Sequence, residues 1–268
     1  EIICKMCDTD FYDFIANEYD IMQSDLDPKA WALFVHKLVN TYSTKSTKGE
    51  GNQGKKVLCD LGCGTGLVDV EFDSIGYEVI GIDKSLAMLN KATQLCAMKR
   101  KRILFINQDI TKLDLHGSVD VFVSLLDTVN HLDNLGSLSV LLEKVKLFMN
   151  PDGVFVFDLA TPKHFKKTLG NNVFFEDYDE FTLLWANSYD TKTKTNEAEL
   201  TIFRARDDGT YDRMDGQIEE KCFSISQITK LAKKNGLIVA GVYGDLEFCP
   251  PRKEDERVFI IIKKEESK

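Results

Sequence analysis

Strand-like and helix-like segments alternate from residue 57 to residue 159, and this alternation constrains the fold more than any other feature of the chain. Short runs rich in Val, Ile, Leu and Phe are separated by longer segments with apolar residues at helical spacing. Strands connected by helices pair in parallel, with helices on both faces, so we expect a doubly wound α/β sheet. The predicted strands are 57–61, 78–82, 103–108, 119–125 and 154–159, and the predicted helices are 67–75, 85–98 and 137–148.

The pattern changes at 171–222, where β-rich runs follow one another without a helix between them. Short segments rich in Asp, Thr and Gly separate these runs, which is typical of an antiparallel meander. We therefore expect an inserted antiparallel β cap. The β-rich runs are 181–188, 198–204 and 211–223, and a helix at 226–235 with strands at 237–243 and 257–263 then returns to the main sheet.

The amino-terminal residues carry apolar side chains at helical spacing, and Pro28 stands where a helix would begin. We expect two helices over 11–39. The segment 41–56 is rich in Ser, Thr, Gly and Lys and has almost nothing to bury, which indicates a flexible connector. The expected organisation is a helical segment at 1–40, the connector at 41–56, an α/β domain at 57–170 and 223–268, and the cap at 171–222.

Composition favours a soluble, cytoplasmic protein that needs no oligomer to be stable, although a homodimer stays open. We expect neither a signal peptide nor a membrane span, since no apolar run approaches the roughly 20 residues that cross a bilayer. The net charge of −9 disfavours nucleic acid, which a basic face would bind. The seven cysteines are expected to be reduced, and the lone CxxC of Cys4 and Cys7 lacks the second ligand pair of a metal site.

A glycine-rich turn, DLGCGTG at 60–66, follows the first predicted strand. Glycine in such a turn lets the backbone approach a ligand closely, yet the turn alone also fits a dinucleotide fold or a plain strand-to-helix connection. Asp60 narrows the choice, because a pyrophosphate disfavours a nearby carboxylate whereas an amino-acid ammonium group is held well by one. Asp60 and the GxGxG spacing therefore argue against a nicotinamide dinucleotide.

Carboxylates close the next two predicted strands. Asp83 lies roughly 20 residues after the first glycine, where a carboxylate can accept two hydrogen bonds from a ribose diol. Asp109 follows the third strand and is suited to accept a hydrogen bond from an adenine amino group. The alternative is that each residue only caps the following helix or turn. With the glycine-rich turn, the two carboxylates favour an adenosine-containing ligand.

These three motifs resemble those of class I S-adenosylmethionine-dependent methyltransferases, and the resemblance covers most of 11–265. The chain is similar to the small bacterial members, whose amino-terminal segment appears here as YDFIANEYD at 12–20. The similarity continues in NPDGVFVFD at 150–158 and in the β-rich insertion. It implies a Rossmann-like, mostly parallel sheet of seven strands whose last strand is antiparallel.

The resemblance also implies where S-adenosylmethionine would bind. The glycine-rich turn would surround the methionine moiety, Asp83 the ribose and Asp109 the adenine, beneath an amino-terminal lid carrying Tyr12 and Tyr19. The alternative for the two tyrosines is that they only pack helices together. The expected cofactor-binding residues are Tyr12, Tyr19, Asp60, Gly62, Cys63, Gly64, Gly66, Asp83, Lys84, Met88, Asp109, Ile110 and Leu125.

His131 is the candidate catalytic residue. It follows the fourth predicted strand, whose end faces the ligand crevice in doubly wound folds. Its unperturbed pKa would suit a base at neutral pH, and its placement is similar to that of a histidine near the substrate amine in aminosugar N,N-dimethyltransferases. A helix-start or surface histidine is the alternative.

The expected activity is methyl transfer to a nitrogen or oxygen atom of a small molecule. The segment after the fourth strand lacks the Pro-Pro and Pro-Cys signatures of known base-modifying enzymes. A methyltransferase acting on protein or RNA, a nicotinamide-dependent oxidoreductase and a non-catalytic cofactor-binding module remain the alternatives. The segment 171–222 holds 13 acidic and 6 basic residues, so a cap over the pocket would favour neutral or cationic acceptors; otherwise these charges only solvate its outer face.

Overall fold

The computed structural model describes residues 8–43 and 54–265 of the chain. The pair Cys4 and Cys7 and most of the expected connector, at 44–53, lie outside these residues. In chain order the helices are α1 (Asp8–Ile15), α2 (Tyr19–Met22), α3 (Pro28–Tyr42), α4 (Leu67–Ile75), α5 (Leu86–Lys99), α6 (Leu135–Phe148) and α7 (Ile225–Lys234). The strands are β1 (Val57–Leu61), β2 (Glu78–Asp83), β3 (Leu104–Asn107), β4 (Val119–Ser124), β5 (Met149–Ala160), β6 (Val173–Asp177), β7 (Phe181–Asp190), β8 (Thr195–Ala205), β9 (Tyr211–Lys221), β10 (Leu237–Gly244) and β11 (Arg257–Lys264).

Seven strands form the main sheet, in the order β3-β2-β1-β4-β5-β11-β10. Strands β1 to β5 pair in parallel, whereas β11 runs antiparallel to both of its neighbours. The chain runs outward from β1 to β3 and then returns to pair β4 with the other side of β1. Doubly wound sheets bind ligands at such a reversal, beyond the carboxyl ends of the strands. The predicted α/β fold with its seven-stranded, mostly parallel sheet is confirmed.

Apolar side chains bury both faces of the main sheet. In β1, the adjacent residues Leu58 and Cys59 are both fully buried, in separate apolar clusters on opposite faces. One cluster includes side chains of α6 and α7, and the other includes side chains of α3 and α4. Burial on both faces explains why these strands read as continuous apolar runs in the sequence. No helix in the described ranges has the length and apolar character needed to span a membrane.

The amino-terminal segment forms three helices instead of the two expected over 11–39. The helix start expected at Pro28 is confirmed, because Asp27 caps α3 by accepting a hydrogen bond from the Ala30 N–H at 3.0 Å. Upstream, a turn at 16–18 separates α1 from the four-residue α2. Helix α3 packs on the main sheet, whereas the apolar residues of α1 join a cluster with the second sheet.

This second sheet, here called the cap sheet, consists of β6, β7, β8 and β9 in sequential antiparallel order. Strands β7 to β9 match the predicted β-rich runs. Strand β6 and a short π-helix at His164–Leu169 were not predicted. Strand β6 was not predicted because it lies at the sheet edge and exposes Val173 and Phe175, so it lacks the buried apolar face by which a strand is recognised in a sequence. Leu200 and Ile202 are buried on the inner face, in the cluster that includes α1.

Candidate functional site

A cavity lies beyond the carboxyl ends of β1, β2, β3 and β4, at the reversal of strand order. Both the glycine-rich turn and the amino-terminal segment with its two tyrosines line this cavity. The sequence analysis had identified these two segments from separate motifs. Lining residues that the sequence predicted are Tyr12, Tyr19, Gly62, Gly64, Asp83, Lys84, Met88, Asp109, Ile110 and His131. Lining residues that it did not predict are Gln108, Thr111, Leu126, Thr128, Leu132, Asp133 and Ser137.

The glycine-rich turn is held against β2 by its own backbone. The N–H groups of Gly62 and Cys63 both donate to the Ile82 carbonyl, at 2.7 and 3.0 Å. Gly62 has φ +85°, and a Cβ at this position would stand 2.4 Å from a carbon of Thr128. Glycine is therefore required both by the backbone conformation and by the close approach of the segment after β4. Thr128 lines the cavity, so this approach shapes the cavity wall.

Asp83 is fixed by two backbone donors. Its carboxylate accepts a hydrogen bond from the Gly64 N–H at 2.9 Å and another from the Ser85 N–H at 2.8 Å. Burial raises the pKa of Asp83, and these two hydrogen bonds counteract part of that shift. The side chain that caps α5 is Ser85, which accepts from Met88 N–H. Asp83 is thus a rigidly held acceptor at the cavity wall, with lone pairs left for a diol.

Asp109 caps the short helix Ile110–Lys112 and also lines the cavity. Burial opposes ionisation, but the Thr111 hydroxyl and N–H, at 2.7 and 2.8 Å, together hold the pKa of Asp109 below its usual value. The capping role and the ligand-facing role considered for this residue are therefore compatible. The carboxylate is ionised at neutral pH and can accept a hydrogen bond from an amino group.

Four residues expected at the cofactor do not line the cavity: Asp60, Cys63, Gly66 and Leu125. Leu125 is buried, and the Cys63 thiol contacts the Gly64 carbonyl at 3.9 Å. Gly66 lies where α4 meets α5, since a Cβ there would stand 3.1 Å from Ala92. These four residues therefore lie on the side of the turn that faces away from the cavity. Their expected contact with S-adenosylmethionine stays a prediction.

Asp60 is buried next to a second carboxyl group, Asp69 of α4, which the sequence interpretation missed. Asp69 is fully buried, and burial raises its pKa to about 7. Burial and the charge of Asp69 raise the pKa of Asp60 as well, so the pair holds a proton at mildly acidic pH. One oxygen of Asp60 and both oxygens of Asp69 are buried without a hydrogen-bond partner among the described residues. Asp69 and the buried Phe72 are three positions apart and so lie on the same face of α4. This spacing could have revealed from the sequence that Asp69 is buried.

His131 and Tyr12 meet at the end of the cavity that lies beyond β4. The Tyr12 hydroxyl and His131 Nε2 are 3.2 Å apart, and the two rings meet edge to face with centroids 5.8 Å apart. Tyr19 lies beside Tyr12, with ring centroids 6.2 Å apart. Burial, followed by the charges of Asp83 and Asp127, raises the pKa of Tyr19, which therefore stays a neutral phenol. Both tyrosines line the cavity and also pack against the apolar cluster of α1 and the cap sheet, so their role at the cofactor stays a prediction.

Two carboxylates of the amino-terminal helices connect α1 and α2 to the motif segments. Asp13 accepts hydrogen bonds from the Ser85 hydroxyl at 2.5 Å and from the Ala87 N–H at 3.3 Å. Asp20 accepts a hydrogen bond from the Thr65 hydroxyl at 2.5 Å. Because Thr65 lies in the glycine-rich turn, the helices are fixed directly over the turn. These contacts position Tyr12 and Tyr19 over the cavity.

The loop after β4 has an unusual backbone that a distant arginine stabilises. Leu126 and Asp127 have φ +57° and +64°, a backbone conformation that residues other than glycine rarely adopt. Arg257 of β11 donates to both carboxylate oxygens of Asp127, at 2.6 and 2.7 Å, and also pairs with the buried Asp158. Its guanidinium group lies 5.1 Å from the ring centre of Trp31. Asp127 and Arg257 are 130 positions apart, so no local motif could reveal the pair.

Comparisons with known proteins agree with this geometry. Residues 58–153 match the model of a methyltransferase domain. Over 94% of this chain and 99% of the relative, the sequence is 27% identical to a candidate methyltransferase of Geobacillus sp. strain WCH70. An S-adenosylmethionine-dependent methyltransferase of Clostridium acetobutylicum superimposes with a TM-score of 0.80 and 23% identity, over 95% of this chain and 98% of the other.

A third comparison adds a bound cofactor. An amino pentose methyltransferase from Micromonospora echinaspora, solved with S-adenosylmethionine, superimposes with a TM-score of 0.68 and 16% identity, over 92% of this chain and 96% of the other. Residues 58–153 thus form a methyltransferase domain, and the chain shares its fold with S-adenosylmethionine-dependent methyltransferases.

Proposed function

We propose that this methyltransferase acts on a nitrogen or oxygen atom of a small molecule that binds beyond Tyr12 and His131. The observation that carries the proposal is the cavity itself. Asp83 and Asp109 lie on the walls formed after β2 and β3, and the Tyr12–His131 contact lies on the wall formed after β4. One continuous cavity thus offers acceptors for an adenosine on one side and a proton-accepting group on the other.

Each part of the cavity has a role in this proposal. The glycine-rich turn accommodates the methionine moiety, Asp83 accepts hydrogen bonds from the ribose diol, and Asp109 accepts one from the adenine amino group. S-adenosylmethionine supplies a methyl group activated by a sulfonium. The chain aligns the acceptor atom with that methyl group and excludes water, since in-line displacement depends mainly on orientation.

His131 takes up the proton that the acceptor loses. Its Nε2 atom faces the Tyr12 hydroxyl, which donates the hydrogen bond when the imidazole is neutral and carries its proton on Nδ1. A neutral imidazole at this place can receive a proton from an amine or an alcohol, directly or through the phenol. Tyr12 also holds the imidazole ring in one orientation. The structurally similar M. echinaspora enzyme is an amino pentose methyltransferase, which supports a small amine-bearing acceptor for this chain.

The test compares acceptor classes in a single assay. The purified chain, with S-adenosylmethionine carrying a labelled methyl group, is offered small amines, alcohols and phenols, a mixture of folded proteins, and total RNA. We expect label only in the small-molecule fraction, and we expect titration calorimetry to detect binding of S-adenosylmethionine but not of NAD. Label confined to protein or to RNA would overturn the proposal and support a macromolecular acceptor.

A further inference from the structure

The inner face of the cap sheet changes from apolar to polar along its strands. Ala198, Leu200 and Ile202 of β8 are buried in the cluster that includes α1. Asn196, the next residue on the same face, is fully buried and pairs in register with Glu220 of β9. Strand β7 adds Asn187, which is 6% exposed. One end of this otherwise apolar face is thus built from two amides and a carboxyl group.

These three polar side chains satisfy one another only in part. The Asn196 side-chain amide donates to Asn187 Oδ1 at 3.0 Å and to Glu220 Oε2 at 3.2 Å. Among the described residues, nothing hydrogen-bonds to Asn196 Oδ1 or to Asn187 Nδ2, although both atoms are buried. An unsatisfied buried polar atom costs about 1–3 kcal/mol, and native proteins contain few of them. Two on adjacent side chains indicate that a ligand or solvent completes the cluster.

The cluster lies on the side of His131 that faces the cap sheet. Asn130, the preceding residue, donates to the Lys221 carbonyl at 2.7 Å and thereby joins the end of β9 to the segment that carries His131. Burial raises the pKa of Glu220, whereas a positive charge on His131 would lower it. His131 Nδ1 is itself buried, with no hydrogen-bond partner in the described part of the chain.

We propose that Asn187, Asn196 and Glu220 form a polar recess in the cap sheet that binds a protonated amine of the acceptor. The proposal rests on the proposed function and adds the chemical class and the residues that recognise it. Glu220 and Asn196 Oδ1 accept hydrogen bonds from an ammonium group, and a cation beside Glu220 offsets the burial of its charge. Asn187 donates to a neighbouring oxygen of the ligand. A carboxylate is repelled by Glu220.

Three probes of one shape test the recess: benzylamine, benzyl alcohol and benzoate. Each is titrated by calorimetry into the full chain saturated with S-adenosylhomocysteine, so the reading does not depend on knowing the natural acceptor. We expect benzylamine to bind at least tenfold more tightly than benzyl alcohol and benzoate not to bind. Equal binding of the three probes, preference for benzoate or no binding of benzylamine would overturn the proposal.

Glu220→Gln removes the charge, and Glu197→Gln is the matched control, because Glu197 adjoins Asn196 but is exposed on the opposite face. We expect about tenfold weaker binding of benzylamine in Glu220→Gln only, with unchanged affinity for S-adenosylhomocysteine. Asn196→Ala serves as a second variant if Glu220→Gln does not fold, with the same expectation, because it removes the other acceptor for the ammonium group. Unchanged amine affinity in a folded recess variant would overturn the recess. Methylation confined to protein or RNA would instead overturn the proposed function, whatever the probes do.

Discussion

The ring of Phe11 in α1 packs so closely on Gly216 of β9 that a methyl group added to the glycine would stand 1.8 Å from a ring carbon. Phe11 is 1% exposed and shares its apolar cluster with Ile15 and Leu200. An ion pair between Glu18 and Arg204 adds a second connection between the amino-terminal helices and the cap sheet. The helix that carries Tyr12 is therefore held by the cap sheet as well as by the main domain.

Gly216→Ala should lower the free energy of unfolding by about 1–3 kcal/mol, because the added methyl group forces Phe11 out of its place. Urea denaturation measures the change. Gly117→Ala is the control, since within the described residues no atom other than those of its chain neighbours lies within 4 Å of a Cβ built at Gly117. Equal stability of the two variants would show that the packing of the Phe11 ring does not require a residue without a side chain at position 216.

Asp83→Asn should weaken S-adenosylmethionine binding by about 1–3 kcal/mol, which corresponds to roughly 5- to 150-fold in Kd. An amide cannot accept from both ribose hydroxyls and from the two backbone donors that hold Asp83. Titration calorimetry compares this variant with Glu78→Gln, at the exposed opposite end of β2. If both variants bind the cofactor like the unmodified chain, Asp83 is not the ribose ligand.

His131→Gln should lower kcat by roughly 10²-fold or more and leave the Kd for S-adenosylmethionine unchanged, because the change removes the proton acceptor but not the adenosine contacts. Tyr12→Phe should lower kcat less, since it removes only the hydroxyl that orients the imidazole. His116→Gln, at an exposed histidine, is the control. An increase in KM alone, with unchanged kcat and pH profile, would assign His131 to acceptor binding rather than proton transfer.

Asp69→Asn should stabilise the chain increasingly as the pH rises. The folded chain keeps the Asp69 proton up to about pH 7, whereas the unfolded chain loses it near pH 4. Folding therefore takes up a proton between these values, and the unfolding free energy of the unmodified chain falls as the pH increases across them. The substitution removes that loss and relieves the repulsion on Asp60.

Urea denaturation at a series of pH values measures this difference. The stability of Asp69→Asn relative to the unmodified chain should rise from about pH 4 to about pH 7 and then level off. Burial raises the pKa of Asp158 to about 6, and this group contributes equally to the pH dependence of both proteins. Its contribution therefore cancels in the difference between them. Asp73→Asn is the control on the same helix, because Asp73 pairs with Lys101 at 2.9 Å near the surface. A pH-independent difference would show that Asp69 ionises normally.

The sequence predicted the features that depend on local pattern. The bounds of β1 and α4 agree with the expected ones, and Asp83 and Asp109 line one cavity because parallel strands end at a common sheet edge. The contact of Asp127 with Arg257 could not be predicted because the two residues are 130 positions apart, and that of Asn196 with Glu220 because it depends on the register between β8 and β9. Local pattern specifies which residues end a strand, but not which residues face them from the other elements.

The ion pair of Arg257 with Asp127 implies an order in which parts of the chain fold. The left-handed backbone of Leu126 and Asp127 is unfavourable by itself, and the guanidinium group that stabilises it belongs to the strand inserted between β5 and β10. The backbone hydrogen bonds of Gly62 and Cys63 in the glycine-rich turn, by contrast, are made to Ile82 of β2, which follows the turn closely in the chain. The loop beside His131 should thus gain hydrogen-exchange protection only after β11 docks, so that the acceptor side of the catalytic centre matures last during folding.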